Sequence, residues 1–372
     1  MIIKIEDAGF VNKGATLMLY AIIDKLRDLY GKELICVVDD HIGSRLDKAS
    51  LNLYQEGVFQ RFRLPNLIPT SQMLKYNLVN PKDIKLVLNA SGFSIGDQWH
   101  PYPANFFTKK LRSYPIYKKN GAKIIYLPQA YGPITKPGLI EHVKKLEKYV
   151  DIFYARDSPS FNHLRVKLEN KDRVVQAPDF TNIFEVQKNN SYNNSFVIIP
   201  NHRIIEKTNI TRGEYIYFLS QIALLAYAKG LEILFLNHEG ILDRKIIDEV
   251  ILLVDFKVNI SDNLPPDQIK AVIKASYAVM SSRYHGAVSA LSQGIPVVVM
   301  GWSHKYEELL RDYTSEEFLI NCDLSQKTME KIEIILNPKE NEQIRKKLKN
   351  YAHDQKLLTH KMWSSIIDNL KA

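Results

Sequence analysis

The stretch YAVMSSRYHGAVSALSQGIPVVVM, residues 277–300, joins two short apolar runs through a polar turn and a helical pattern. Tyr277–Met280 and Pro296–Met300 have the length and composition of strands buried inside a parallel sheet. Between them, Gly286–Gln293 carries apolar residues at helical spacing, and Gly294 ends that pattern. Strand, crossover helix and strand form the repeating unit of α/β folds, so this stretch predicts a parallel sheet covered by helices.

The same alternation continues through the chain on both sides of this stretch. Further strands are predicted at Ile2–Ile5, Leu34–Val38, Ile84–Leu88, Lys123–Leu127, Ile152–Ala155, Phe196–Ile199, Glu232–Leu236 and Lys257–Ile260. Helices are predicted at Ala15–Tyr30, 104–119, 138–149, Arg212–Lys229, Ile241–Val254, Pro265–Ala275 and 338–370. A polar, turn-rich segment at 188–195 predicts a linker. We therefore predict two Rossmann-like domains facing a cleft, 1–188 and 195–337, followed by a helical segment, 338–372.

The composition narrows the class of partner. The 372 residues are 45% hydrophobic and carry a net charge of +9, which favours anionic partners such as nucleic acid, a phospholipid surface or a phosphorylated substrate. No zinc-finger, RNP-like or helix-turn-helix signature is present, so nucleic acid is not expected as a partner. The densest basic run, Arg345–Lys349, falls in a predicted helix and indicates either a solvated face or contact with an anionic membrane surface.

Sequence features also predict the compartment. No window approaches 18 apolar residues, and an acidic pair follows the first five residues, so neither a transmembrane helix nor a signal peptide is predicted. Cys36 and Cys322 each lie in a short apolar run, and two cysteines allow no metal spacing and at most one bridge. Two buried thiols fit a reducing compartment. We expect a cytoplasmic protein that can contact the inner face of the plasma membrane.

The segment Ser281–Gly286 lies where a predicted buried strand meets a helix N-terminus. Such an end carries roughly half a positive charge and several unpaired N–H groups. Arg283 adds a bidentate fork for carboxylate or phosphate, and Gly286 has no Cβ to keep a ligand from the backbone. His285 titrates near neutral pH and can carry a proton. The pattern predicts an anion site with its own proton carrier; the alternative is that Ser282 caps the helix and His285 bonds a nearby loop.

This segment resembles the C-terminal signature of the polysaccharide pyruvyl transferase family. The matching residues are Ser282–Leu291, Gly294-Ile295-Pro296 and Lys305. Weaker elements follow the family's order at Gly9–Gly14, Leu88–Phe93, Gln129–Pro133, Ala155–Ser158 and Pro178-Asp179. Two loops depart from the pattern: Ala15 follows Gly14 where many members have Asp, and the second loop has Asn89-Ala90-Ser91-Gly92 where a Gly-Gly pair is usual.

The resemblance implies a GT-B-like fold and an enzyme that uses phosphoenolpyruvate as donor and co-substrate, without a further cofactor. It implies a sugar hydroxyl pair as acceptor, and leaves open whether the sugar belongs to a lipid-linked oligosaccharide or a finished polymer. The implied product is a cyclic pyruvate ketal in a surface polysaccharide, such as a capsule or exopolysaccharide. His285 is then the catalytic general acid and Arg283 binds the donor. The C-terminal domain becomes the donor side and the N-terminal domain the acceptor side. No metal-ligand spacing is present, so no metal is expected.

The remaining site residues are predicted from strand ends. Each of the further donor candidates follows a predicted strand of the second domain: Arg203, His238 and Lys305, together with Gly286 in the signature itself. A surface or loop role is the alternative for the first three. The predicted acceptor-binding residues lie in loops of the first domain: Asn12, Gly14, Ser91, Gly92, Asp97 and Trp99, with His100 beside them. Trp99 would stack on a sugar and Asp97 would accept a hydroxyl proton; a plain loop is the alternative. Arg156 and Asp157 are expected to pair with each other.

Two other functions remain open at this point. One is a GT-B nucleotide-sugar glycosyltransferase, which needs a base-stacking pocket and often a glutamate on the ribose, here Glu307 or Glu308. The other is a non-catalytic member that binds glycans. The Ser-Arg-x-His-Gly run is not expected in the first, and an intact Arg283 and His285 argue against the second.

Overall fold

The computed structural model describes residues 1–10, 12–57, 68–99, 102, 106–188 and 190–371. The chain forms two compact units. The first comprises residues 1–180 together with 359–372, and the second comprises residues 181–358. Both are parallel sheets covered by helices, which confirms the predicted α/β class.

The first unit contains an eight-stranded parallel sheet in the order β4-β3-β2-β1-β5-β6-β7-β8. Its strands are β1 (Ile2–Glu6), β2 (Ile35–Val38), β3 (Leu53–Glu56), β4 (Leu78–Val79), β5 (Leu86–Asn89), β6 (Lys123–Gln129), β7 (Ile152–Ala155) and β8 (Val174–Gln176). Its helices are α1 (Lys13–Tyr30), α2 (Arg45–Ser50), α3 (Thr70–Met73), α4 (Phe106–Lys119), α5 (Pro137–Glu147) and α6 (Ser158–Arg165). The central strands are apolar and buried, as expected for strands covered on both faces.

One central strand of this sheet carries buried charge. Lys4 and Glu6 alternate with apolar residues along β1, and both are almost fully buried. Lys4 Nζ lies 2.7 Å from Glu56 Oε1 and 2.9 Å from the Tyr117 hydroxyl of α4. Burial alone lowers the pKa of Lys4, but Glu56 and the other nearby acidic groups raise it well above the ordinary lysine value. This charged contact joins α4 to the sheet.

The second unit contains a six-stranded parallel sheet in the order β11-β10-β9-β12-β13-β14. Its strands are β9 (Ser195–Ile199), β10 (Glu232–Leu236), β11 (Val258–Ser261), β12 (Ala278–Ser281), β13 (Val297–Met300) and β14 (Leu319–Ile320). Its helices are α7 (Arg203–Lys207), α8 (Arg212–Ala228), α9 (Gly240–Ile251), α10 (Pro266–Ala275), α11 (Tyr284–Leu291), α12 (His304–Asp312), α13 (Gln326–Leu336) and α14 (Pro338–Lys371), the last of which extends beyond residue 358 into the first unit's range.

Each sheet has one point where the strand order reverses. In the first unit it lies between β1 and β5, and in the second between β9 and β12. The chain leaves such neighbouring strands toward opposite faces, which opens a crevice at their carboxyl ends where α/β proteins bind ligands. In the second unit this position is occupied by the residues after Ile199 and Ser281, so the predicted signature lies at a reversal point.

The basic run in the last helix is partly engaged within the second unit. Arg345 Nη2 donates to the Ser276 carbonyl at 2.7 Å, Lys347 Nζ donates to the Thr314 carbonyl at 3.1 Å, and Leu348 is buried. Lys346 pairs with Glu342 on the exposed face. Lys346, Lys347 and Lys349 are exposed. The run is therefore mostly a solvated face of α14, which Arg345 and Leu348 anchor to the second unit. Across the described residues, no helix has the length and apolarity needed to cross a bilayer.

Candidate active site

The turn that follows β12 is fixed by hydrogen bonds on both of its serines. Ser281 Oγ accepts from the backbone N of Arg283 at 3.2 Å and donates to its carbonyl at 2.9 Å. Ser282 Oγ accepts from the Tyr215 hydroxyl at 2.9 Å, and its carbonyl accepts from Asn201 Nδ2 at 2.8 Å. Burial raises the pKa of Tyr215 far above its ordinary value, so this hydroxyl stays a donor. The backbone that presents Arg283 is held rigidly by β9 and α8.

Arg283 lies at the centre of a buried polar cluster. Its Nη2 donates to both oxygens of Asp243, at 2.7 and 2.6 Å, and its Nε donates to Asp243 Oδ2 at 3.0 Å. Its Nη1 bonds a second carboxylate, Glu239 Oε2. Asp243 is fully buried and Arg283 nearly so. The predicted donor role of Arg283 stays a prediction, and in this structure its guanidinium is occupied by two carboxylates.

His202 completes the cluster from the end of β9. Its backbone N and its ring Nδ1 both lie 3.0 Å from Asp243 Oδ1, and Nδ1 lies 3.3 Å from Arg283 Nη2. A carboxylate only accepts, so Nδ1 carries the proton that is donated to Asp243. The other ring nitrogen, Nε2, lies 3.7 Å from Glu206 Oε1. Asp243 therefore orients an arginine and a histidine at once.

The histidine of the signature is the second residue of α11. The His285 ring meets the Tyr284 ring edge to face, with centroids 5.4 Å apart, and is half-buried. The helix begins at Tyr284, two residues before the predicted start, with Arg283 at the N-cap position. His285 is thus in the first turn of the helix.

Close packing requires a glycine at position 286. A Cβ at this position would lie 2.6 Å from Ser281 Oγ and 3.0 Å from Ile199 Cδ1. The missing side chain therefore lets α11 lie close against β9 and β12. Its predicted contact with the donor stays a prediction.

The other predicted donor residues have different surroundings. Lys305 Nζ lies 4.9 Å from the Trp302 ring centroid and 5.4 Å from those of Tyr284 and Tyr306, a cation–π arrangement. Lys305 and His285 therefore share Tyr284 as a neighbour. Arg203 is half-exposed in α7 and donates to Glu206 at 2.7 Å, while His238 is buried after β10.

At the reversal point of the first sheet, a chain of hydrogen bonds links polar side chains from three strands. Asn89 Nδ2 donates to Asp7 at 2.8 Å and Gln129 Nε2 donates to Asn89 at 3.4 Å. Ser91 Oγ donates to Gln129 Oε1, and Ser94 Oγ donates to Ser91 at 2.7 Å. Ser91 is therefore built into this polar chain. Gly92 beside it has a φ of +70°, which favours glycine.

The remaining acceptor candidates have identifiable local roles. Asn12 caps α1 by accepting from the Ala15 backbone N at 2.8 Å, and Gly14 is buried in the first turn of that helix. Trp99 is 38% exposed and meets Phe93 edge to face. Sugar contact by Asn12, Gly14, Ser91, Gly92 and Trp99 stays a prediction, and His100 lies outside the described residues.

Asp97 holds the loop that enters α5. Its carboxylate accepts from the Thr135 backbone N at 2.9 Å, the Thr135 hydroxyl at 2.7 Å and the Lys136 backbone N at 3.1 Å. Partial burial opposes these bonds, but together they lower the pKa of Asp97 below the ordinary aspartate value. The carboxylate thus fixes the Thr135-Lys136 backbone. Because its oxygens already accept these hydrogen bonds, little capacity is left to accept a proton from a sugar hydroxyl.

Replacing Asp97 by Ala is expected to lower the free energy of unfolding by about 1 kcal/mol at neutral pH, because Thr135 and Lys136 lose their hydrogen-bond acceptor. Because the folded pKa is lowered, this contribution is present above the unfolded pKa and is lost as pH falls through the folded pKa. The difference from the parent protein, followed by urea unfolding, should therefore shrink in acid. Asp40→Ala, which removes an exposed carboxylate of the same unit, is the control. Unchanged stability with a raised acceptor KM would instead favour the acceptor role.

Arg156 and Asp157 do not form the expected pair. Arg156 Nη1 lies 3.2 Å from Asp179, and both side chains are buried. Asp157 instead caps α6 by accepting from the Ser160 backbone N at 2.7 Å. The two residues are adjacent in sequence but serve different elements, because a cap residue must point along its own helix.

The reversal-point cluster of the second sheet lies within the part of the chain that family comparison recognises. A model of the polysaccharide pyruvyl transferase family matches residues 12–304. The chain belongs to this family. No curated protein matches the chain in sequence. The match confirms the resemblance and spans both the first-unit loops and the signature.

Solved structures show how this family member folds. MnaA of S. aureus in a co-structure with UDP is 14% identical with a TM-score of 0.63, covering 100% of this chain and 97% of that one. A UDP-N-acetylglucosamine 2-epimerase of Listeria monocytogenes, described as putative, is 11% identical with a TM-score of 0.65, covering 100% and 96%. Anabaena HepE with UDP-glucose is 13% identical with a TM-score of 0.59, covering 100% and 99%. These similarities confirm the GT-B-like fold class.

Proposed function

We propose that this chain transfers the pyruvyl group of phosphoenolpyruvate to a pair of sugar hydroxyls, forming a cyclic ketal in a surface polysaccharide. The observation that supports this most strongly is the turn at Ser281–Gly286. It presents an arginine and a histidine at the reversal point of the second sheet, on a backbone fixed by hydrogen bonds. In this chain the segment carries an arginine, whose guanidinium can bind an anion, beside a histidine, whose ring can carry a proton.

The proposed reaction needs a proton donor and cations. A proton from His285 adds to the methylene carbon of phosphoenolpyruvate, which turns that carbon into a methyl group and leaves an oxocarbenium-like centre on its neighbour. One sugar hydroxyl attacks this centre and forms a C–O bond, and its proton returns to His285. The second hydroxyl forms the other C–O bond as the C–O bond to phosphate breaks, and its proton leaves with the phosphate. One proton therefore ends on the new methyl group and one on inorganic phosphate, which balances the reaction.

The side chains near the signature match the charge that develops. The first-turn N–H groups of α11 favour an anion, and Lys305 supplies positive charge. Arg283 adds to it where an anion replaces one of its two carboxylates. Lys305 is held over three aromatic rings, so its ammonium has a defined position. The net charge of +9 also favours an anionic donor and an acceptor on an anionic lipid at the inner membrane face.

Thermal unfolding of the full chain with phosphoenolpyruvate, and separately with UDP-sugars, tests the assignment. Ligands that bind the folded state raise the unfolding midpoint, so phosphoenolpyruvate is expected to raise it. The matching product assay is mass spectrometry of candidate lipid-linked sugars after incubation with phosphoenolpyruvate, which should show pyruvylated species. Stabilisation by UDP-sugars alone, with no pyruvylated product, would favour a nucleotide-sugar glycosyltransferase and contradict the proposal.

A further inference from the structure

Arg283 is bound by two carboxylates that differ in how firmly they are held. Asp243 is fully buried, whereas the Glu239 side chain is 34% exposed. Both contact the same guanidinium, at different nitrogens. With two negative groups on one positive group, the cluster as it stands does not attract a further anion. An incoming anion must therefore replace one of these carboxylates.

Asp243 is not the replaceable partner. It accepts three hydrogen bonds from Arg283 and two from His202, and these bonds involve both of its oxygens. Removing such a group from a buried site leaves its partner charges uncompensated. Its position on α9 also fixes it, because that helix packs on the sheet through buried apolar residues. Asp243 thus holds the inner edge of the guanidinium, Nε and Nη2.

Glu239 has the features of a replaceable partner. It reaches Nη1 of Arg283 through one oxygen, Oε2. It occupies the N-cap position of α9, yet its side chain makes no capping bond to that helix. The next residue, Gly240, has a φ of +67°, and a Cβ there would meet no heavy atom within 4 Å. The loop carrying Glu239 therefore has space beside it.

We propose that Glu239 occupies the anion position of Arg283 until a substrate oxyanion, carboxylate or phosphate, takes its place. The inference rests on the proposed function and specifies its donor site: Nη1 is the nitrogen that binds the anion. A buried guanidinium without a partner at Nη1 is unfavourable, so Glu239 stabilises the ligand-free protein. Glu239 also makes anion binding more selective, because an anion displaces it only if its interaction with Arg283 is more favourable than that of Glu239.

Anion binding to Glu239→Gln tests this displacement. The substitution keeps the shape of the side chain and removes its charge, so phosphoenolpyruvate is expected to bind about tenfold more tightly than to the parent protein. Glu249→Gln is the matched control, since Glu249 lies on the same helix and bonds Arg212 at the surface. Dissociation constants are measured by titration calorimetry with phosphoenolpyruvate, inorganic phosphate and pyruvate. Glu239→Ala is the second variant and should change affinity in the same direction.

The three ligands distinguish the chemical sources. Tighter binding of inorganic phosphate assigns Nη1 to the phosphate, and tighter binding of pyruvate assigns it to the carboxylate. Unchanged or weaker binding of all three to both Glu239 variants would overturn the displacement. If the protein transfers pyruvyl groups but the Glu239 variants bind the three ligands with the affinity of the parent protein, the displacement is wrong and the proposed function stands. If the variants bind phosphate more tightly but no pyruvyl transfer is found, the displacement stands and the proposed function is wrong.

Discussion

Replacing Asp243 by Asn is expected to lower the free energy of unfolding by about 3 kcal/mol and to abolish turnover. The loss is large because Asp243 is fully buried and is the main partner of a nearly buried guanidinium. An asparagine keeps one accepting oxygen but points an N–H₂ group at donors of Arg283 or His202. Glu239 compensates only Nη1, so much of the positive charge stays unpaired. Urea unfolding followed by circular dichroism measures the effect.

A matched control separates this loss from a general effect of removing charge on α9. Asp248→Asn removes a carboxylate of the same helix whose side chain is 52% exposed and pairs with Arg244. Exposed pairs contribute little, so this variant is expected to lose about 0.5 kcal/mol or less. Adding Arg283→Met to Asp243→Asn removes the uncompensated cation and should restore part of the stability. A loss below about 1 kcal/mol for Asp243→Asn would contradict the central role of this carboxylate.

The strand and helix pattern around the signature could be predicted because it depends on local periodicity. Tyr277–Met280 and Pro296–Met300 are apolar runs of strand length. The observed β12 begins and ends one residue later than the first run, and β13 begins one residue later than the second and ends with it. The strands β4 and β14 are not predicted, because each has two residues, which is too short for any period to appear. The four-residue strand β3 and the eleven-residue helix α13 are not predicted either, so length is not the only cause.

The partners of Arg283 could not be predicted in the same way. Asp243 lies 40 residues away on a helix whose sequence shows only an amphipathic pattern, and nothing in that pattern marks one buried carboxylate. The strand order brings the ends of β10 and β12 to either side of the end of β9, so strand ends bring His202 and Glu239 within reach of prediction. Sequence reasoning selected Arg203 rather than His202 because charge alone favours it. Burial, which tertiary packing decides, separates the two side chains.

The same limit applies to the first unit. Ser91 and Asp97 are both predicted in loops that follow strands. Ser91 lies in such a loop, whereas Asp97 is the first residue of a short 3-10 helix, Asp97–Trp99. Sequence reasoning could not show that Ser91 bonds Gln129 or that Asp97 holds the Thr135 backbone, because those partners come from other segments. Lys4 is a second example: it interrupts an apolar strand, and only the surrounding Glu56 and Tyr117 explain its burial.

Replacing His285 by Asn is expected to lower the rate of pyruvyl transfer by about 10²- to 10⁴-fold, the usual contribution of a general acid. The affinity for phosphoenolpyruvate should change little, because the N–H groups of α11, Arg283 and Lys305 remain. His353→Asn, at an exposed position of α14, is the control and should leave the rate unchanged. The variant should also lose the limb of the pH–rate profile that reports the proton donor.

Isotope labelling tests the same step without any substitution. A proton delivered by His285 exchanges with solvent, so transfer carried out in D₂O should place one deuterium in the new methyl group of the ketal. Mass spectrometry of the product detects that deuterium directly. Loss of phosphoenolpyruvate binding in His285→Asn would make this residue a donor-binding group. An unchanged rate would show that His285 does not donate the proton. His202, which Asp243 orients at the same sheet edge, would then be the candidate proton donor.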